Sequence, residues 1–194
     1  MALARKPERR YSPEEYLKQE ENADLKSEYL DGTIYAMTGG TLNHNRIAGG
    51  FYAALRAGLR EHACEAFAGD LRLWIPAHKV FTYPDAMVIC GRPEFLSRRN
   101  DTVTNPALIV EVLSKSTQDY DRGRKFEFYR SIPTLRDYVL ANQDRIGIEY
   151  FQKMADGRWL LTEIHDADDM LKLEGLGLAL PVRALYEQVD WLAA

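Results

Sequence analysis

Two carboxylates stand where an apolar strand tolerates charge poorly. Asp85 opens the run DAMVIC, and Glu111 interrupts ALIVEVL. A charge beside a buried strand is costly unless it is paired or binds a metal. Any fold for this chain must therefore bring these two groups to a polar seam within an apolar sheet. The stretch from Tyr83 to Lys125 contains both carboxylates and leads into a basic, helix-like run, DRGRKFEFYRSI. The rest of the chain reads as organised around it.

The 194 residues, 46% of them hydrophobic, suit one domain with a sizeable core over 11–194. A flexible arm is expected over 1–10, where MALARKPERR is basic but lacks the apolar core of a secretion signal. The net charge of -4 gives no global attraction to polyanions. DNA binding would have to rest on a local basic face. No apolar run approaches the ~20 residues of a membrane helix, so no membrane partner is expected. Cys64 and Cys90 have no metal-ligand spacing and lie in apolar runs. They are expected as buried free thiols, consistent with a cytoplasmic location.

Along the chain, Ser12-Pro13-Glu14-Glu15 starts a helix running to about Asn22. Asp31-Gly32 turns a hairpin between two short strands. Asn43 is expected to cap a second helix from about His44 to His62, with Ile47, Phe51, Leu55 and Leu59 on its core face. Cys64 to Ile75 and Phe81 to Cys90 each read as one strand, the second starting at an edge or bulge because Pro84 cannot donate to a ladder. Ala107 to Leu113 reads as the central strand, Asp119 to Ser131 as an amphipathic helix, and Leu135 to Leu140 as a parallel strand reached by a right-handed crossover. From Ile146 to Leu173 the alternation predicts an antiparallel meander extending the sheet, closed by a short helix over Pro181 to Tyr186.

Each candidate has a plainer reading. Asp85 follows a proline and could be a turn residue. Glu111 could pair with Arg124 or Arg130, Asp70 with a nearby arginine, and His44 could be a capping or surface residue. His62, His78 and His165 lack metal-ligand spacing. The arginines after Asp119 could simply solvate their helix. Against this stands the chemistry that hard oxygen ligands, a metal-activated water and a nearby lysine perform on a phosphodiester. No Gly-rich phosphate loop or GxGxxG points to nucleotide hydrolysis by those routes. No helix-turn-helix or zinc-finger pattern supplies a sequence-reading module.

The order Glu28-Tyr29-Leu30-Asp31-Gly32, Asn43-His44, Tyr83-Pro84-Asp85, Asn105-Pro106, Glu111-Val112-Leu113-Ser114 and Lys125-Phe126, with Tyr129, resembles the Uma-two family of restriction-endonuclease-like proteins, in the PD-(D/E)xK nuclease superfamily. The resemblance runs from about Tyr11 to Tyr186. It implies an α/β fold with a restriction-endonuclease-like core, a mixed β-sheet flanked by helices. It implies Mg²⁺ or Mn²⁺ held by Asp85 and Glu111, with Glu28 supporting the metal or water. The superfamily's lysine sits two residues after the second acid, where this chain has Leu113. Lys125 is the candidate replacement and Lys115 its rival. His44, Arg122 and Arg124 are candidate substrate contacts. The function implied is metal-dependent hydrolysis of DNA. The alternative is an inactive nuclease-fold protein that binds nucleic acid or a protein partner. A homodimer is possible, with the apolar end Val189, Trp191 and Leu192 as one candidate contact.

Overall fold

The computed structural model describes residues 9–115 and 117–191. Ser12 caps α1 (Pro13–Glu20) with a reciprocal bond to Glu15, the capping box that its sequence signals. The hairpin β1 (Ser27–Leu30) and β2 (Thr33–Ala36) turns at Asp31-Gly32, both with positive φ, 39° and 100°. That turn fixes which face of β1 Glu28 occupies. Helix α2 (Leu42–Gly58) follows, and its cap is Thr41, two residues earlier than the expected Asn43. Asn43 lies inside the helix, buried, and donates to the Asp190 carbonyl.

Both long apolar runs are broken, against expectation. Cys64 to Ile75 is β3 (Cys64–Ala68) and β4 (Arg72–Ile75), separated by a turn at Gly69-Asp70. Phe81 to Cys90 is β5 (Val80–Thr82) and β6 (Ala86–Cys90), separated at Tyr83-Pro84-Asp85. At each break the chain changes sheet. Burial continues from β5 into β6, so hydropathy alone does not mark that break, whereas β3 buries only Ala66.

The remaining elements are β7 (Thr102–Val103), β8 (Leu108–Leu113), α3 (Gln118–Tyr120), a π-helical turn (Asp121–Lys125), α4 (Phe126–Arg130), β9 (Asp137–Asn142), β10 (Ile148–Lys153), β11 (Trp159–Ile164), β12 (Met170–Leu173), β13 (Leu178–Pro181) and α5 (Val182–Leu185). A five-stranded sheet has the order β2-β1-β5-β4-β7, and a six-stranded sheet the order β11-β10-β9-β8-β6-β3. Strand β8 is central to the larger sheet. It pairs antiparallel with β6 and parallel with β9, as the crossover reading requires. Strands β10 and β11 extend this sheet, but β12 does not. It forms a separate hairpin with β13, because Leu171, Leu173 and Leu180 pack into the core beside α2 and α5.

The two faces of β8 enter two cores. Leu108, Val110 and Val112 join a cluster under α2 and α5. Ile109 and Leu113 face Phe126, Phe128 and Tyr129 of α4, together with Leu73 and Val80 from the smaller sheet. Glu111 shares the parity of Ile109 and Leu113, so it points into this second interior.

Cys64 and Cys90 are directly paired across β3 and β6 and are joined as a disulfide. The expectation of free thiols is thus overturned, and with it the argument from thiols to a reducing compartment. The two side chains meet because edge strand β3 places them opposite each other, a register that spacing in the sequence does not reveal. Among the described residues no helix is long and apolar enough to cross a membrane. Most of the expected N-terminal arm lies outside the described residues, but Arg9 and Arg10 pair with Glu15 and Asp31. Val189 packs against the core, Trp191 lies 5.8 Å from the Tyr186 ring, and Leu192 is outside the described residues.

Candidate active site

Six of the residues singled out in the sequence, Glu28, His44, Asp85, Glu111, Lys115 and Lys125, meet in one cleft between the two sheets. The register Ala86↔Val110 puts Asp85, one step before β6, at the level of Glu111. Pro84 interrupts the ladder there, which frees Asp85 to turn inward. Its Oδ2 accepts the Val112 backbone N–H at 2.7 Å, and its Oδ1 accepts the His44 Nε2–H at 3.0 Å. His44 is therefore neither a cap nor a surface residue: it holds Asp85.

Glu111 Oε1 accepts two donors, the Tyr129 hydroxyl at 2.5 Å and Lys125 Nζ at 2.9 Å. Lys125 Nζ also lies 3.3 Å from Glu28 Oε1 and 3.6 Å from Asp121 Oδ1. Thr82 of β5 donates its hydroxyl to Glu28. The partner of Glu111 is thus Lys125, not Arg124 or Arg130. Lys115 is the exposed lysine at the cleft wall, so the two lysine candidates occupy different positions in one site.

Asp121 was not singled out from the sequence. Its signal was present: Asp121, Lys125 and Tyr129 recur at a spacing of one helical turn and share one buried face. The π turn across Asp121–Lys125 is of a kind often found at functional sites.

Arg122 and Arg124 are placed elsewhere. Arg122 is clamped by Glu149, with Nε and Nη2 2.7–3.1 Å from the carboxylate oxygens. Arg124 lies over the Phe128 ring at 5.6 Å. Asp70 pairs with Lys26 at 2.6 Å, a lysine where an arginine was expected.

The electrostatics follow from burial. Burial pushes the Glu111 carboxyl up to about 8, and the negative Asp85 and Asp121 add to this, while Lys125 and the Tyr129 bond oppose it. Asp121 is raised mainly by burial, against the pull of Lys125. Burial alone would pull Lys125 down, but Glu111, Tyr129, Glu28 and Asp121 together outweigh it and keep the ammonium charged. Burial likewise pulls His44 down, and its bond to Asp85 reverses the direction.

The site is an excess of buried hard oxygen over positive charge, which fits a divalent cation. Among the described residues no three acidic, histidine or cysteine side chains form a ready cage. Mg²⁺ is commonly held by one or two carboxylates, with waters and substrate phosphates completing its shell. Asp85 and Glu111 match that donor set.

Known proteins bear on this arrangement. A family model described as "Uma2: Putative restriction endonuclease" matches residues 13–183. An uncharacterized protein of Synechocystis sp. is 43% identical over 150 residues, covering 77% of this chain and 85% of its own length. A second from the same organism is 39% identical over 175 residues, 90% of each chain. The fold is similar to the crystal structure of "a putative nuclease belonging to DUF820" from Anabaena variabilis, with a TM-score of 0.74 over 93% of this chain and 99% of that one. At 16% identity, that likeness is one of fold.

Proposed function

The chain belongs to the Uma2 family, and from that premise we propose that it is a metal-dependent endonuclease that hydrolyses phosphodiester bonds of DNA. The observation that carries the reading is the lysine. Lys125 Nζ sits 2.9 Å from Glu111, in the cleft that Asp85 also lines, although the superfamily's usual position for it is occupied by Leu113.

Asp85 and Glu111 would hold Mg²⁺ or Mn²⁺. A bound divalent cation polarises phosphate oxygens and makes a bound water acidic enough to attack at neutral pH. The protein's own groups do the positioning. His44 and the Val112 N–H occupy one oxygen each of Asp85 and fix its rotamer. Tyr129 and Lys125 both engage Oε1 of Glu111 and hold that carboxylate in place. Lys125 brings the positive charge nearest to where negative charge develops on phosphate. Glu28 and Asp121 keep that lysine charged and in place.

The test is cleavage of single-stranded, plasmid and branched DNA with Mg²⁺ or Mn²⁺ by the wild type, Asp85→Ala and Glu111→Ala. Cleavage by the wild type that both substitutions abolish supports the reading. Equal activity of all three proteins, or none from any, overturns it. Calorimetry with Mn²⁺ then separates an inactive scaffold from a nuclease, since only the latter requires binding that depends on Asp85.

A further inference from the structure

The cleft combines a recessed charged floor with an aromatic rim. At the floor the side chains of Glu111, Asp121 and Lys125 are only 5%, 4% and 9% exposed. A phosphate must descend to reach them. The walls carry Tyr35, Leu42 and Tyr120, and Tyr35 and Leu42 are 52% and 63% exposed. Tyr35 stands directly opposite Glu28 in the β1–β2 register, so the two side chains leave the same face of the hairpin, with Cβ atoms about 5 Å apart. Glu28 is itself 3.3 Å from Lys125. An uncovered aromatic ring therefore borders the charged floor.

Positive charge around the cleft is scarce. Its lining carries Glu28, Asp85, Glu111, Asp121 and Asp144, against Lys115, a His44 bonded to Asp85 and a Lys125 already committed to three carboxylates. The nearby Arg122 is held by Glu149. Duplex DNA is gripped chiefly through lysine and arginine contacts to phosphate. It is also stiff on this length scale, so its phosphates do not dip singly into a recess. The cavity encloses about 570 Å³, the size of a small-ligand site. An unpaired strand meets both constraints. Its backbone bends freely enough to lower one phosphate, and its bases stack on aromatic rings without sequence preference.

We infer that the substrate enters this cleft as an unpaired strand of DNA, with a base stacked on Tyr35 and the adjoining phosphate lowered to Glu111 and Lys125. This rests on the nuclease reading of the same cleft and names the form of DNA it takes.

The test is fluorescence anisotropy of a labelled single strand and of its duplex, with Ca²⁺ in place of Mg²⁺. Wild type binds the single strand on the order of tenfold more tightly than the duplex, and Tyr35→Ala removes about that factor, as expected for one lost stacked base. Tyr35→Phe retains it, and thermal melts check that both variants are folded. Equal or tighter binding of duplex, no binding of either, or a preference that survives in Tyr35→Ala overturns the inference. Cleavage of the same strands with Mg²⁺ separates the two ideas. A Tyr35-dependent strand preference without cleavage defeats the nuclease reading alone. Cleavage of duplex as fast as single strand defeats this inference alone.

Discussion

Lys125 Nζ lies 2.9 Å from Glu111 Oε1, so the helix after β8 delivers a cation that β8 itself does not carry. The two side chains are buried together: Lys125 is the main influence opposing the upward push of burial on Glu111, and Glu111 is the main one keeping Lys125 charged. Breaking a buried pair from one side leaves an uncompensated charge. Lys125→Met should therefore cost about 3–5 kcal/mol of stability and abolish cleavage. Lys115→Ala, on an exposed side chain, should change stability by less than about 0.5 kcal/mol. Urea unfolding and cleavage of single-stranded and plasmid DNA on both variants decide this. If Lys115→Ala is the one that loses cleavage, the lysine assignment is wrong.

Glu111 sets a pH dependence whose sign is fixed. Its carboxyl is held at about 8 in the folded protein, against 4.5 ordinarily. The folded state binds this proton more tightly than the unfolded chain. The group thus favours folding below its ordinary range, and that contribution is lost as pH rises through about 8. Chelator-treated wild type should lose on the order of a few kcal/mol across this window, and Glu111→Gln should flatten the profile. A profile unchanged by the substitution would remove Glu111 as its source.

Tyr129 orients Glu111 through a 2.5 Å bond from a fully buried hydroxyl. Tyr129→Phe removes that donor with little change in shape. A hydrogen bond to a charged group contributes about 1.5–3 kcal/mol, and loss of a partner behind a ligand typically weakens metal binding about 10–100-fold. Titration with Mn²⁺ should show the weakening beyond what the stability loss explains. Unchanged Mn²⁺ affinity would leave Tyr129 a packing residue only.

The Cys64–Cys90 bond closes a loop with a sequence separation of 26 and ties edge strand β3 to β6. Chain-entropy arguments put its contribution at about 3 kcal/mol, or roughly 6–12 °C in a domain of this size. Thermal melts with and without reductant should differ by that margin, and the Cys64→Ala/Cys90→Ala double variant should match the reduced protein. Coincident melts would mean the bond adds nothing in solution.

Much of this arrangement was legible beforehand. The capping box at Ser12 and the Asp31-Gly32 turn act within a few residues and form as their sequence dictates. Glu111 stood out because a charge inside ALIVEVL contradicts its neighbours, and burial beside Lys125 resolves the contradiction. Asp85 was visible for the same reason. Lys125 came from resemblance, and its distance to Glu111 is what connects it to the site. Asp121 was hidden because an acid on a helix full of charges looks like ordinary solvation until the helix is docked. The sheet change at Pro84 was hidden because both flanking strands are buried, and hydropathy does not record which sheet buries them.

The sequence by itself determined the local elements, the polar seam and the identity of the groups that form it, because propensity, capping and burial cost act over short stretches of chain. The tertiary structure alone decided which groups meet. Lys125 reaches Glu111, His44 reaches Asp85 and Cys64 reaches Cys90 because the β8–β9 crossover, the α2 docking and the β3–β6 register bring distant segments within a few ångströms. Those contacts depend on how sheets and helices pack, and no window of sequence contains them.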